Sequence, residues 1–179
     1  MMRVMSNPYH TPVLLKACIE NLNLKPSGTY VDLTFGGGGH SKEILKHLGK
    51  NGKLYAFDQD RDAEKNLINN KQFIFINQNF RHLKNYLRLN NVFEIDGVLG
   101  DLGVSSHQFD SGERGFSIRY DAPLDMRMNQ KNSLCAETVV NGYGEEIGWR
   151  GYLAEKLLKN QSISKAAFKI WLVWAPWHL

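Results

Sequence analysis

The chain has 179 residues and a formal net charge of +4, with 42% hydrophobic and 22% charged residues. This is the balance of an ordinary globular domain and excludes a disordered or fibrous chain. The basic excess favours a polyanionic partner such as nucleic acid without establishing one. Cys18 and Cys135 have no Cys/His neighbours at metal-ligand spacing, so free thiols and no zinc site are expected. No signal-peptide core opens the sequence and no apolar run is long enough to span a bilayer, which makes a cytoplasmic location the expectation.

In chain order, Val13, Leu14, Cys18, Ile19 and Leu22 keep helical spacing, and Pro12 suits the first turn of a helix running to about Asn23. Pro26-Ser27-Gly28 turns the chain into Tyr30–Thr34, a short buried strand that runs straight into Phe35, four glycines and His40. A helix over Ser41–Lys50 follows, with Ile44, Leu45 and Leu48 on one face. Leu54–Asp58 reads as the second strand, Asp62–Asn70 as helical, Phe73–Gln78 as the third strand, Phe80–Asn90 as an amphipathic helix and Ile95–Leu99 as the fourth strand. This alternation predicts βαβ units and a parallel sheet with helices on both faces. Regular patterning stops between Val104 and Asn132, a length of loop that is usually functional or disordered. Helical character returns over Leu134–Leu158, and the last stretch packs three of the four tryptophans into seven residues.

Several residues in this pattern can carry chemistry. Glycines between a strand and a helix N-terminus let a ligand approach main-chain N–H groups closely. A dinucleotide or S-adenosylmethionine would suit; the alternative, a tight turn without a ligand, is disfavoured because four consecutive glycines cost too much chain entropy to be idle. The dinucleotide fingerprint fails because the sixth position from Gly36 is Ser41, and no P-loop Gly-Lys-Ser/Thr follows. Asp58 ends the second strand, 22 residues after Gly36, where a carboxylate can accept both hydroxyls of a ribose. Asp60 and Asp62 beside it are natural loop or N-cap residues. Phe80 suits either an adenine ring or the core. Asp101, at the end of the fourth strand, is the candidate acceptor for an exocyclic amine, although the adjacent prolines and aromatic residue usual in such sites are missing. His107 reads more readily as a solvated loop histidine than as a base.

From Tyr9 to Met128 the sequence resembles the MraW/RsmH family of bacterial 16S ribosomal RNA (cytosine-N4)-methyltransferases. The segments YHTPVLL, YVDLTFGGGGHS, AFDQD, NQNF, DGVLGDLGVSSHQFD, ERGFS and PLDMRMN carry the resemblance. It implies a class I, Rossmann-like fold with a helical insertion that grips RNA. It also implies that Gly38, Gly39, His40, Asp58, Phe80, Asp101 and Gln108 contact S-adenosylmethionine. The expected divisions are residues 1–133 for the N-terminal part of the methyltransferase domain, 134–160 for the start of the insertion and 161–179 for a divergent apolar tail.

The implied reaction transfers a methyl group to the exocyclic N4 amine of a cytidine in 16S rRNA of the small subunit. That amine is a weak nucleophile, its lone pair being delocalised into the ring. Holding nitrogen and methyl in near-attack geometry can contribute roughly 7–11 kcal/mol. Asp101 or a nearby main-chain carbonyl is the expected acceptor for the amine hydrogens. Arg114, Arg119 and Arg127 are candidates for phosphate contacts, with ion pairs to Asp110, Glu113, Asp121 or Asp125 as the alternative. After Glu146 the sequence departs from the family, whose later strands and SFHSLED segment do not appear, so a truncated or frameshifted reading frame is expected. The competing expectation is an inactive fragment that binds cofactor or RNA weakly.

Overall fold

The computed structural model describes residues 12–146 and, beyond them, residues 153, 156, 158, 159, 162, 164, 165 and 169. Among these, contacts divide the chain into two units. One runs to Ser111 and includes Met128–Lys131; the other comprises Gly112–Arg127 and the chain from Asn132.

The first unit is built on a four-stranded, wholly parallel sheet of β1 (Thr29–Asp32), β2 (Lys53–Phe57), β3 (Phe73–Ile76) and β4 (Gly97–Leu99), in the order β3-β2-β1-β4. The order is that of the opening strands of a Rossmann-like doubly wound sheet, the fold class expected from the sequence. Alternation along β1 and β2 sends side chains to opposite faces. Tyr30 and Leu54 meet Ile44, Leu45 and Leu48 of α2 (Gly39–His47) and the residue after it, with Ile19 and Leu22 of α1 (Leu15–Leu22) packed alongside. Val31, Tyr55 and Phe57 meet Leu87, with Leu83 and Tyr86, all from α3 (Leu83–Leu89), on the other face. Fully burying such side chains contributes about 1.5–3 kcal/mol each. Helices therefore cover both faces.

Two expected helices are shorter or tighter than the periodicity implied. Asp62–Asn70 holds only a 3-10 turn, Arg61–Asn66, started by Asp60, whose carboxylate accepts the N–H of Asp62. Local side-chain capping competes with helix extension there. Phe80–His82 is likewise a 3-10 turn, capped by Asn79, before α3 begins. Conversely, the long loop contains an ordered element, α4 (Ser106–Asp110), which Ser105 opens with a reciprocal capping box.

The second unit contains a turn around Gly115, whose φ of 71° is left-handed and where an added Cβ would run into the Pro123 carbonyl and the Asp125 amide. The carbonyls of Leu124 and Asp125 accept the first amides of α5 (Ala136–Glu146). That helix answers the expected helical character from Leu134; Leu157 and the tryptophans of the tail lie outside the described residues. Among the described residues no helix is long and apolar enough to cross a membrane.

Candidate functional site

All four strands being parallel, their carboxyl ends share one edge of the sheet, where open α/β sheets bind ligands at the point of strand-order reversal. Here that point lies between β1 and β4. The sequence places Asp58 after β2, Asn77–Phe80 after β3 and Asp101 after β4, all on this edge.

The glycine segment and Asp58 face each other directly. Asp58 Oδ2 accepts the N–H of Gly36 at 2.7 Å, and Oδ1 accepts that of Asp60 at 2.9 Å. Burial pushes the Asp58 carboxyl above the usual range, an effect opposed by those two N–H donors and reinforced by the charges of Asp60 and Asp32. A carboxylate offers about four acceptor positions, so each oxygen keeps room for a further donor.

The glycines serve different ends. Gly36, at φ +50°, would carry a Cβ into open space, nearest to the Thr34 carbonyl at 4.0 Å. Its backbone is thus open to close approach. Gly38, at φ +75°, caps α2, and a Cβ there would lie 2.9 Å from the Phe35 ring; a Cβ at Gly39 would lie 2.1 Å from the Pro12 ring. Packing alone therefore excludes a side chain at both positions. The first helical hydrogen bond runs from Lys42 N to Gly38 O, which leaves the amides of Gly39, His40 and Ser41 ahead of the intrahelical ladder. His40 is buried, its Nε2 3.1 Å from the Val13 carbonyl, so it ties α2 to the segment entering α1.

Beneath this loop lies a carboxylate that sequence reasoning did not select. Asp32 is 1% exposed and accepts the Ser41 hydroxyl at 2.6 Å and the Thr34 N–H at 3.1 Å. Desolvation raises its pKa, with the Ser41 bond acting against it. The signal available was an acid inside the otherwise apolar strand YVDLT. Thr34 extends the chain of contacts, its Oγ1 accepting the N–H of Asp101 at 2.8 Å. Asp101 itself is exposed at the edge.

Phe80 is 38% exposed, which removes the reading of it as an ordinary core residue. Its loop is fastened to that of Asp58: Asn77 donates to the Asp58 carbonyl and Asn79 to Gln59. Gln108 is buried, its Nε2 donating to Asp60 Oδ2 at 2.7 Å and lying 3.0 Å from the Met128 sulfur, while Oε1 accepts the Ser105 N–H. His107 is no freely solvated loop residue, because Nε2 lies 3.1 Å from Asp62 Oδ2.

In the second unit Arg127 adopts the ion-pair alternative, donating bidentately to Asp125 and through Nη1 to the Asn132 carbonyl. Arg114 is 2% exposed, bonds the Arg127 carbonyl and lies over the Phe116 ring. Arg119 alone of the three is exposed.

Comparison with known proteins gives the family. A family model described as the MraW methylase family matches residues 7–150. The chain is 60% identical over 152 residues to a protein named ribosomal RNA small subunit methyltransferase H from Christiangramia forsetii, covering 85% of this chain and 50% of that one. Proteins of the same name are 63% identical in Cytophaga hutchinsonii, over 76% of this chain and 46% of the relative, and 57% identical in Flavobacterium johnsoniae, over 87% and 51%. The chain spans about half the length of the curated relatives it matches.

Proposed function

The chain belongs to the MraW methylase family, and from that premise we propose that it binds S-adenosylmethionine and serves methylation of the N4 amine of a cytidine in 16S rRNA. The observation that carries the reading is the pairing of the Gly36 N–H with the Asp58 carboxylate at the carboxyl edge of β1 and β2.

The residues present fit this cofactor. Asp58 has an acceptor position left on each oxygen for the two ribose hydroxyls, and the open backbone at Gly36 admits a ligand against the main chain. The half-exposed ring of Phe80 would take the adenine face, and the first amides of α2, at Gly39 and His40, would face the carboxylate of the amino-acid end. When bound, the group supplies a methyl on a sulfonium, which needs no further activation.

What the chain must add is an acceptor for the amine. Asp101 stands exposed beside Thr34, at the end of the strand neighbouring β1. In this reading its carboxylate accepts an N4 hydrogen as positive charge develops on the nitrogen, and holds the amine lone pair toward the methyl. The partner would be small-subunit rRNA, with exposed Arg119 the remaining candidate for a phosphate contact.

The test is transfer of tritium from labelled S-adenosylmethionine to small subunits isolated from cells lacking the modification. Label recovered as N4-methylcytidine is the expected result. Cofactor binding without transfer would reduce the function to binding alone, and a chain that binds no cofactor would overturn the reading.

A further inference from the structure

We propose that Asp60 is a positioning residue of the cofactor site, holding Asp58 through its main-chain N–H and Gln108 through its carboxylate. The proposal rests on the reading of Asp58 as the residue that holds the cofactor's sugar.

Asp60 lies two residues past Asp58 and is 6% exposed. Its N–H donates to Asp58 Oδ1 at 2.9 Å. Its own oxygens are divided: Oδ1 accepts the Asp62 N–H at 3.0 Å, and Oδ2 accepts Gln108 Nε2 at 2.7 Å. The Gln108 amide cannot turn over, because Oε1 accepts the Ser105 N–H at 2.9 Å and a carboxylate can only accept from Nε2. The orientation of Gln108 therefore depends on Asp60 being a two-acceptor side chain.

The topology gives this contact its importance. The segment leaving β4 is fixed at its start by the Asp101 bond to Thr34, and seven residues later Gln108 is fixed to the loop after β2. Because β1 lies between β2 and β4, the segment crosses the end of β1, where the glycine run stands. His107 and Asp62 fasten the same crossing a second time, at 3.1 Å. Asp60 thus couples the sugar-binding carboxylate to the segment that carries Asp101.

A reciprocal exchange tests this. In Asp60→Asn an NH2 group replaces one of the two acceptor oxygens, so it faces the N–H of Asp62 or Nε2 of Gln108 donor to donor and one bond is lost. In Gln108→Glu two carboxylates oppose each other. The double variant restores both sets of partners: the amide introduced at position 60 would donate to the carboxylate introduced at position 108, which also accepts the Ser105 N–H. The probe is S-adenosylhomocysteine, titrated calorimetrically at a temperature where thermal melts show every variant folded. Each single variant should bind about tenfold more weakly, the worth of one hydrogen bond to a charged group, and the double variant should return to within about threefold of the unaltered chain. Single variants that melt earlier but keep full affinity would overturn the proposal, as would a double variant no better than either single. An unaltered chain that binds no S-adenosylhomocysteine would overturn the reading of Asp58 itself, and this proposal with it.

Discussion

The main-chain N–H of Asp101 donates to Thr34 Oγ1 at 2.8 Å, pinning the end of β4 to the end of β1 where the strand order reverses. Thr34 also donates its own N–H to buried Asp32, so one threonine connects the floor of the glycine loop to the exposed acid. Thr34→Val keeps the shape and removes the acceptor. Since the bond is exposed, stability should fall by only about 0.5–1.5 kcal/mol. Methyl transfer should fall further than cofactor affinity, and Thr34→Ser should restore both; parallel denaturation, calorimetry and labelled transfer would show it.

Replacing Asp58 by Ala removes the only side-chain acceptor described for the Gly36 N–H and takes away the carboxylate proposed for the ribose. Affinity for S-adenosylmethionine should drop by about 1.5–3 kcal/mol, the worth of hydrogen bonds to a charged group, which is roughly 10–150-fold. Unchanged affinity in calorimetry would remove Asp58 from the site.

Ser41→Ala strips a 2.6 Å donor from Asp32, both groups being buried. A carboxylate short of a donor in such surroundings costs about 1–3 kcal/mol. The sign with pH follows from the direction of the Asp32 shift: its folded pKa lies above the unfolded value, so ionised Asp32 opposes folding at neutral pH and the burden lifts as pH falls through the folded pKa. The variant raises that pKa further. Its deficit should therefore be largest near neutrality and shrink under acid, as urea titrations at several pH values would show.

Asp62 behaves oppositely. The Lys65 ammonium and His107 hold its pKa at about 2, below the unfolded value of about 3.9. The stabilisation is present above about pH 4 and is lost as pH falls through about 2. With 30% of the side chain exposed, the contribution should stay under about 1 kcal/mol. Asp62→Asn should thus lower stability slightly at pH 6 and converge with the unaltered chain below about pH 2, as urea titrations would show.

Gly38→Ala meets two obstacles, a left-handed φ of +75° and the Phe35 ring at 2.9 Å. The conformation alone costs about 1–2 kcal/mol, and displacing an aromatic packed on Phe73 and Phe75 adds to it. Denaturant midpoints would fall with the slope unchanged.

Alternating apolar strands and helices made the four-stranded sheet and its helix faces legible, because burial imposes period 2 and period 3.6 on the residues themselves. The family match bears out the resemblance carried by the segments from YHTPVLL to PLDMRMN. What patterning could not show were contacts between distant loops. Asp60 read as a cap, which it is, but its second partner, Gln108, stands 48 positions away. His40 became a candidate only through the resemblance, since its tie to the Val13 carbonyl leaves no periodic trace. Asp62–Asn70 misled because capping at Asp60 shortens the turn that its composition favoured.

Pro12 touches Gly39 and the Val13 carbonyl meets His40, so the approach to α1 forms one wall of the glycine loop. A substitution at Pro12 is consequently an alteration to the proposed cofactor edge rather than to a distant helix. A Pro12→Ala variant therefore has to be assayed for the methyl donor as well as for stability.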